Sequence, residues 1–220
     1  MIQVDELEFS YTQSEFQLVI PSLSVGSAES VAIIGPSGTG KSTLLKLVSG
    51  ILTATKGQVL FNGVDLAALG DSRRRALRSE QIGFIFQNFE LQDYLSAFDN
   101  ILHPYRISRT LQLDAEVRER ARQLAYDMGV NERLQAYPSQ LSQGEKQRVA
   151  ICRAVLSCPR LILADEATGN LDPANKQHIL DLIFHYIQQS GATLLAVTHD
   201  HDLLNRFDRV IDFQAFIHDR

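Results

Sequence analysis

The first third of the chain is a series of short apolar runs separated by turn formers. Residues 2–9, 16–20, 30–34 and 58–61 are rich in Val, Ile, Leu and Phe, and Pro21, Gly26, Gly35 and Gly57 punctuate them, which predicts strands broken at those positions. One helix interrupts the series: from Lys41 the apolar residues Leu44, Leu45, Leu47 and Val48 recur at helical spacing up to Gly50, as suits a helix packed on a sheet. From about residue 93 to 156 the pattern changes to longer polar and apolar mixtures with helical periodicity, clear over 114–128, and no strand-like alternation. After Arg160 the alternation returns, with a strand at 161–165, a helix at 173–189 stopped before Gly191, and a strand at 193–198. Strands alternating with helices predict an α/β fold whose parallel sheet is covered on both faces.

Composition narrows this. With 220 residues, 45% hydrophobic and 21% charged, the chain fills one core and is short for two ordinary domains and a linker. Its longest apolar stretches, 191–197 and 44–52, fall well short of the roughly 20 residues of a membrane-crossing helix. The start, Met1-Ile2-Gln3-Val4-Asp5-Glu6, lacks the features of a secretory signal, so a cytoplasmic location is expected. A net charge of -5 argues against a nucleic-acid partner. The one basic cluster, Arg73, Arg74, Arg75 and Arg78, falls in an expected surface helix and reads as a solvated face. Cys152 and Cys158 form no Cys-x-x-Cys pair and read as small buried hydrophobes.

The candidate chemistry begins at Gly35-Pro36-Ser37-Gly38-Thr39-Gly40-Lys41-Ser42, which fits G-x-x-x-x-G-K-[ST] and lies between an apolar strand and a helix, where its mechanism requires it. Glycines let successive N–H groups turn toward phosphate oxygens, and the helix start adds partial positive charge. Lys41 is suited to bridge the β- and γ-phosphates and Ser42 to hold Mg²⁺, with Thr43 closing the ATP-binding run. Further on, Leu161-Ile162-Leu163-Ala164-Asp165-Glu166 is an apolar strand ending in two acids at the edge where ligands bind in open α/β sheets. Asp165 suits Mg²⁺ and Glu166 suits the orientation or deprotonation of an attacking water, the alternative being that both acids merely cap the next turn.

About 100 residues after Lys41 stands Leu141-Ser142-Gln143-Gly144-Glu145-Lys146-Gln147-Arg148-Val149. This run resembles the signature of the ABC ATPases, usually Leu-Ser-Gly-Gly-Gln, with Gln143 in place of the first glycine and Glu145 in place of the glutamine; Ala167 stands where many relatives have proline. Other motifs follow the family's order: Tyr11 after the first strand, where an aromatic residue meets adenine, with core packing the alternative; Gln87 of the glutamine loop; Gly169-Asn170-Leu171-Asp172 as the D-loop; and His199 as the switch histidine.

The resemblance implies a P-loop nucleotidase of the ABC type. The expected fold is a mainly parallel sheet with N-terminal antiparallel strands, residues 1–92 and 158–220 forming the core and about 93–157 an inserted helical subdomain. It implies Mg²⁺-dependent ATP hydrolysis, with Glu166, His199 and Lys41 as catalytic residues and Ser42, Gln87 and Asp165 around Mg²⁺. Ser142, Gln143, Gly144 and Glu145 would act in trans, reaching the ATP held by a second copy in a head-to-tail pair. The partner it implies is an integral membrane permease, which would place the chain peripherally on the inner face of the cell membrane. The short chain, Gly169-Asn170-Leu171-Asp172 and Phe84-Ile85-Phe86-Gln87-Asn88-Phe89 together look like the branch of lipoprotein-release, macrolide-export and cell-division ATPases. Phe89, Leu91 and residues 94–101 are the expected docking surface, the alternative being that they fill the subdomain core.

Overall fold

The structure, a computed structural model, describes residues 1–12, 16–167, 169 and 173–216. Four strands, β1 (Ile2–Ser10), β2 (Gln17–Val25), β4 (Lys56–Phe61) and β5 (Val64–Asp65), form an antiparallel sheet in the order β2-β1-β4-β5. Five more, β3 (Ser30–Ile34), β6 (Ile82–Ile85), β7 (Leu161–Asp165), β8 (Thr193–Val197) and β9 (Arg209–Asp212), form a parallel sheet in the order β6-β7-β8-β3-β9. The helices are α1 (Lys41–Val48), α2 (Asp71–Gln81), α3 (Ala97–Ile107), α4 (Ala115–Asp127), α5 (Gln143–Val155) and α6 (Pro173–Ser190). Among the described residues no helix is long and apolar enough to cross a membrane.

The parallel strands read as unbroken apolar runs because both faces are buried. On one face Val31, Ile33, Leu161, Leu163, Leu195 and Val197 pack with α1 and the antiparallel sheet. On the other, Ala32, Ile162, Ala164, Leu194 and Ala196 pack with α3 to α6. Fully buried side chains such as Leu44, Leu45 and Ile151 each contribute about 1.5–3 kcal/mol of hydrophobic stabilisation, so both layers hold the sheet firmly. Most of the predicted elements lie where the pattern puts them, and β3 and β7 have the predicted limits.

Four expectations need correction. Pro21 does not end a strand: β2 runs through it, because β2 is an edge strand where a missing N–H is tolerated, and the β1–β2 register steps over Glu6 and Pro21. Gly57 lies inside β4, at φ +73°, and a Cβ there would sit 2.2 Å from the carbonyl oxygen of Glu6, the bulged residue of β1, so only glycine lets the two backbones meet. The arginine cluster is divided: Arg73 and Arg75 are exposed, whereas the Arg78 guanidinium donates to the carbonyls of Ser49 and Gly50 at the end of α1, and Arg74 donates to Leu66 O. Burial, reinforced by Arg75 and Arg74, holds the Arg78 guanidinium below its ordinary pKa. Cys152 is fully buried, its thiol pushed up to about 12 by that burial, but Cys158 is exposed.

Candidate active site

The sheet order explains how motifs scattered along the chain meet. Strands β6, β7, β8 and β3 are parallel neighbours, so their carboxyl ends open on one edge. The loop after β3 carries the glycine run, the segment after β6 carries Gln87, the end of β7 carries Asp165 and Glu166, and the segment after β8 carries His199. Residues with no spacing in common thereby become neighbours.

At the first of these ends, Gly40 N-caps α1 at φ +105°, with no side chain bonded to the helix's first N–H groups and no acid in the first turn. A Cβ at Gly40 would lie 2.9 Å from Phe16 Cζ, so the position takes no larger residue without displacement. Pro36, Ser37 and Gly38 are exposed, and the Thr39 hydroxyl donates to Pro36 O at 3.0 Å, bracing the loop. The Lys41 ammonium lies inside the loop, donating to Gly35 O at 2.8 Å and Pro36 O at 2.6 Å. Burial lowers its pKa, against the pull of Glu166 and Asp165. The Ser42 hydroxyl donates to Asp165 Oδ1 at 2.9 Å, joining the loop to β7. Burial raises the Asp165 pKa, Glu166 adds to this and the Ser42 bond opposes it. A buried lysine and a buried carboxylate, both with charge disfavoured, suit the oppositely charged parts of a magnesium nucleotide, phosphate against Lys41 and cation against Asp165 and Ser42. Bound there, Mg²⁺ would offset the charge of the phosphates.

Glu166 is the hub of the edge. Its backbone has φ +46°, an uncommon conformation for a side chain of this size, at the sharp turn leaving β7, and its N–H donates to Val197 O at 3.1 Å. His199 Nε2 lies 2.7 Å from Glu166 Oε1, and the Gln87 amide donates to Oε2 at 2.8 Å. The carboxylate is thus oriented from two other strand ends, an arrangement able to aim a base at a fixed point. An open cleft of about 500 Å³ adjoins it, lined by Glu166, Lys176, Thr198, His199, Asp200 and Asp202. Lys176 and Asp200, paired at 3.4 Å, were not legible as cleft residues; the only signal was that Asp200 follows His199.

Tyr11 is 38% exposed, with its hydroxyl 3.2 Å from Thr43 Oγ1 and its ring edge-on to Phe9 at 4.9 Å. The signature residues lie elsewhere. Ser142 N-caps α5, its Oγ accepting from Glu145 N–H at 3.2 Å, while Glu145 Oε2 accepts from Ser142 N–H at 2.7 Å and Oε1 pairs with Arg133 Nε at 2.9 Å. These bonds, the Ser142 backbone bond first, hold the Glu145 carboxyl below the usual range. Ser142 and Gln143 are exposed and Gly144 is buried. Arg133 is the residue sequence reasoning missed here. The expected D-loop residues Asn170, Leu171 and Asp172 lie outside the described residues.

Of the expected docking residues, Phe89 and Ile101 are buried in the core, which corrects their assignment to the surface: a turn at Phe89 and Glu90 folds the Phe89 ring inward, and Ile101 faces the core from α3. Tyr94, by contrast, is 73% exposed.

Comparison with known proteins identifies the family. A family model described as "ABC transporter" matches residues 19–169. Among solved structures, a dimeric post-hydrolysis state of the ATP-binding cassette MJ0796 bound to ADP and Pi is 31% identical, with a TM-score of 0.87 over 96% of this chain and 94% of that one. A second dimeric structure of MJ0796, described as a bacterial ABC transporter cassette, is 32% identical, again with a TM-score of 0.87 over 96% and 94% of the two chains. With its glycine loop, paired acids and signature helix on that shared fold, the chain belongs to the ABC transporter family as an ATPase cassette that uses ATP and Mg²⁺.

Proposed function

We propose that this chain is the motor subunit of a membrane complex: two copies close head-to-tail around two ATP molecules, and hydrolysis drives an integral membrane permease. The observation that carries the chemistry is the Glu166 carboxylate, held at 2.7 Å by His199 and 2.8 Å by Gln87 beside the Ser42–Asp165 pair. In this role Glu166 takes the proton of the attacking water, His199 steadies the carboxylate and meets the γ-phosphate, and Lys41 bridges phosphates. Gln87 and Asp165 complete the surroundings of Mg²⁺ with Ser42. Tyr11 meets the adenine, and Ser142, Gln143, Gly144 and Glu145 cover the phosphate loop of the second copy. That solved relatives were captured as dimers, one with ADP and Pi, supports the pairing. Residues 93–157 serve as the subdomain that moves against the core of 1–92 and 158–220, and the exposed Tyr94 beside the Gln87 loop is the docking point for the permease. We assign the chain to the branch of lipoprotein-release, macrolide-export and cell-division ATPases, working from the cytoplasmic face of the membrane.

The test is Glu166→Gln, which keeps a hydrogen-bonding group of the same shape but removes the base. Turnover is expected to fall by about 100-fold or more, with an ATP-dependent dimer accumulating in gel filtration; undiminished turnover would remove Glu166 from the mechanism. Tagged Glu166→Gln, trapped with ATP in cells and gently solubilised, should recover an integral membrane protein by mass spectrometry. Recovery of soluble partners alone would instead indicate a regulatory ATPase.

A further inference from the structure

Beyond Gln87 the chain takes an unusual path. Phe89 and Glu90 both have positive φ, +62° and +50°, although neither is glycine. Consecutive left-handed residues with side chains are disfavoured and persist where the surroundings hold them. Here the holder is visible: Arg153 Nη2 donates to Phe89 O and Nη1 to Glu90 O, each at 2.5 Å. Burial lowers the Arg153 guanidinium to about 10, with Glu90 opposing, so it remains charged at neutral pH. A planar fork bonded to two successive carbonyls fixes both peptide planes, which a lysine's single ammonium does not do in the same way.

The position of this arginine matters more than its strength. Arg153 lies in the last turn of α5, whose first turn carries Ser142 and Glu145. The loop it grips is the one whose Gln87 bonds to Glu166. One helix therefore links the signature end of the molecule to the loop that contacts the base. We propose that Arg153 is a positioning residue, a clamp that makes the placement of Gln87 at Glu166 follow the orientation of the signature helix. It touches neither substrate nor metal and acts through the strained pair Phe89–Glu90. The proposal rests on Glu166 being the base and Gln87 its neighbour in the working site.

The experiment compares Arg153→Gln, Arg153→Lys and Gln87→Ala in purified protein, measuring kcat and KM for ATP with melting temperature alongside. Arg153→Gln should lower kcat about tenfold or more, with KM changed by less than about twofold. Combined with Gln87→Ala, it should add little, because both act through one contact. Arg153→Lys keeps the buried charge and should fall between the parent and Arg153→Gln, with the melting temperature of each variant checking that it folds. Glu90→Gly, which accepts the left-handed backbone without a clamp, should restore part of the lost turnover in Arg153→Gln. Additive losses in the double variant, or Arg153→Lys with the turnover of the parent, would overturn the clamp. Undiminished turnover in Glu166→Gln would instead remove the reading beneath it, so the two failures are distinguishable.

Discussion

Helix α1 begins at the glycine loop and α5 at the signature run, and their first turns are built in opposite ways. At α1 the N-cap is a glycine, no side chain accepts from the first-turn N–H groups, and the first turn itself contains no acid. At α5 the N-cap serine and Glu145 bond to each other's backbone N–H groups, and Arg133 pairs with the same carboxylate. The first start leaves its donors and dipole for an external anion. The second satisfies the Glu145 N–H with the Ser142 hydroxyl and the Ser142 N–H with the Glu145 carboxylate, so an anion brought to the Gln143 and Gly144 N–H groups would meet a carboxylate beside them. Preorganisation is thus unequal: α1 opens on an uncapped start, α5 on a closed capping box with a carboxylate in it.

The largest effect should come from Lys41, on the uncapped side. Lys41→Ala removes the only cation bonded inside the loop among the described residues, and turnover should fall by about 100-fold or more, in the range seen when a single stabilising donor is removed from other active sites. Nucleotide binding followed by titration should weaken together with it. Because burial depresses the Lys41 pKa, charged Lys41 is disfavoured in the folded state, and this penalty is greatest at lower pH and fades as pH rises through the lowered folded value. Melting temperature should therefore change far less than activity, and a variant that simply unfolds would show that Lys41 is a structural residue.

Gly40→Ala comes next and acts on stability as well. The new Cβ meets Phe16 Cζ at 2.9 Å and Leu18 Cδ1 at 3.2 Å at a backbone angle that alanine resists. A loss of about 1–3 kcal/mol is expected, read as a melting decrease of roughly 2–4 °C per kcal/mol in a chain of this length. Ser142→Ala, at the capped start, should cost about 1 kcal/mol through its lost cap. If Gly40→Ala melts like the parent, the open geometry at α1 is not a steric requirement and the contrast between the two helices weakens.

Glu145→Gln sharpens the contrast more gently. The amide oxygen still accepts from Ser142 N–H, but the charge beside the proposed trans phosphate site and the pair with Arg133 are gone. A folded-state pKa held below the ordinary value means that the carboxylate stabilises the fold above the usual range near about 4 and loses that contribution as pH falls through the lowered folded value. Urea denaturation should thus show Glu145→Gln less stable than the parent by under about 1 kcal/mol at neutral pH, and equal to it in acid. In the Glu166→Gln background, the same change should let the ATP dimer form at lower nucleotide concentration. A higher requirement for ATP would mean that Glu145 helps the incoming phosphate rather than competing with it.

What was legible in the sequence follows from how local each feature is. The glycine loop and the β7 acids are contiguous, with apolar strands before them, so pattern and chemistry appear together. The site's assembly was legible only through family resemblance, because Gln87 and His199 become neighbours of Glu166 through the strand order β6-β7-β8, which no spacing records. The pattern also missed β6 and β9: the first is four residues long, and the second is a largely exposed edge strand, Arg209 to Asp212, in which Ile211 alone packs on the core. Phe89 and Asn100 show the same limit from inside. An apolar residue in a polar loop looks like surface until the backbone turns it inward, and Asn100 looks like a polar helix residue, yet it is fully buried and its amide donates to Gln92, Leu95 and Ser96 carbonyls to hold the approach to α3.

The smallest expected effect belongs to Tyr11, the wall of the uncapped site, where two substitutions separate two roles. Tyr11→Phe loses only the hydroxyl contact with Thr43 at 3.2 Å and keeps the ring against Phe9 and Phe16. That bond joins Tyr11 to Thr43 and not to nucleotide, so KM for ATP should stay within about twofold of the parent. Tyr11→Ala removes the ring. If that ring stacks on adenine, KM should rise several-fold with kcat preserved, because binding is lost equally from ground and transition states. If the ring only packs on Phe9 and Phe16, melting temperature should fall while KM holds. The helix comparison predicts the first result, since a loop prearranged for nucleotide phosphate at α1 gains from an adjacent surface that fixes the base, and a rise in KM without loss of stability would assign Tyr11 to the ligand rather than to the core.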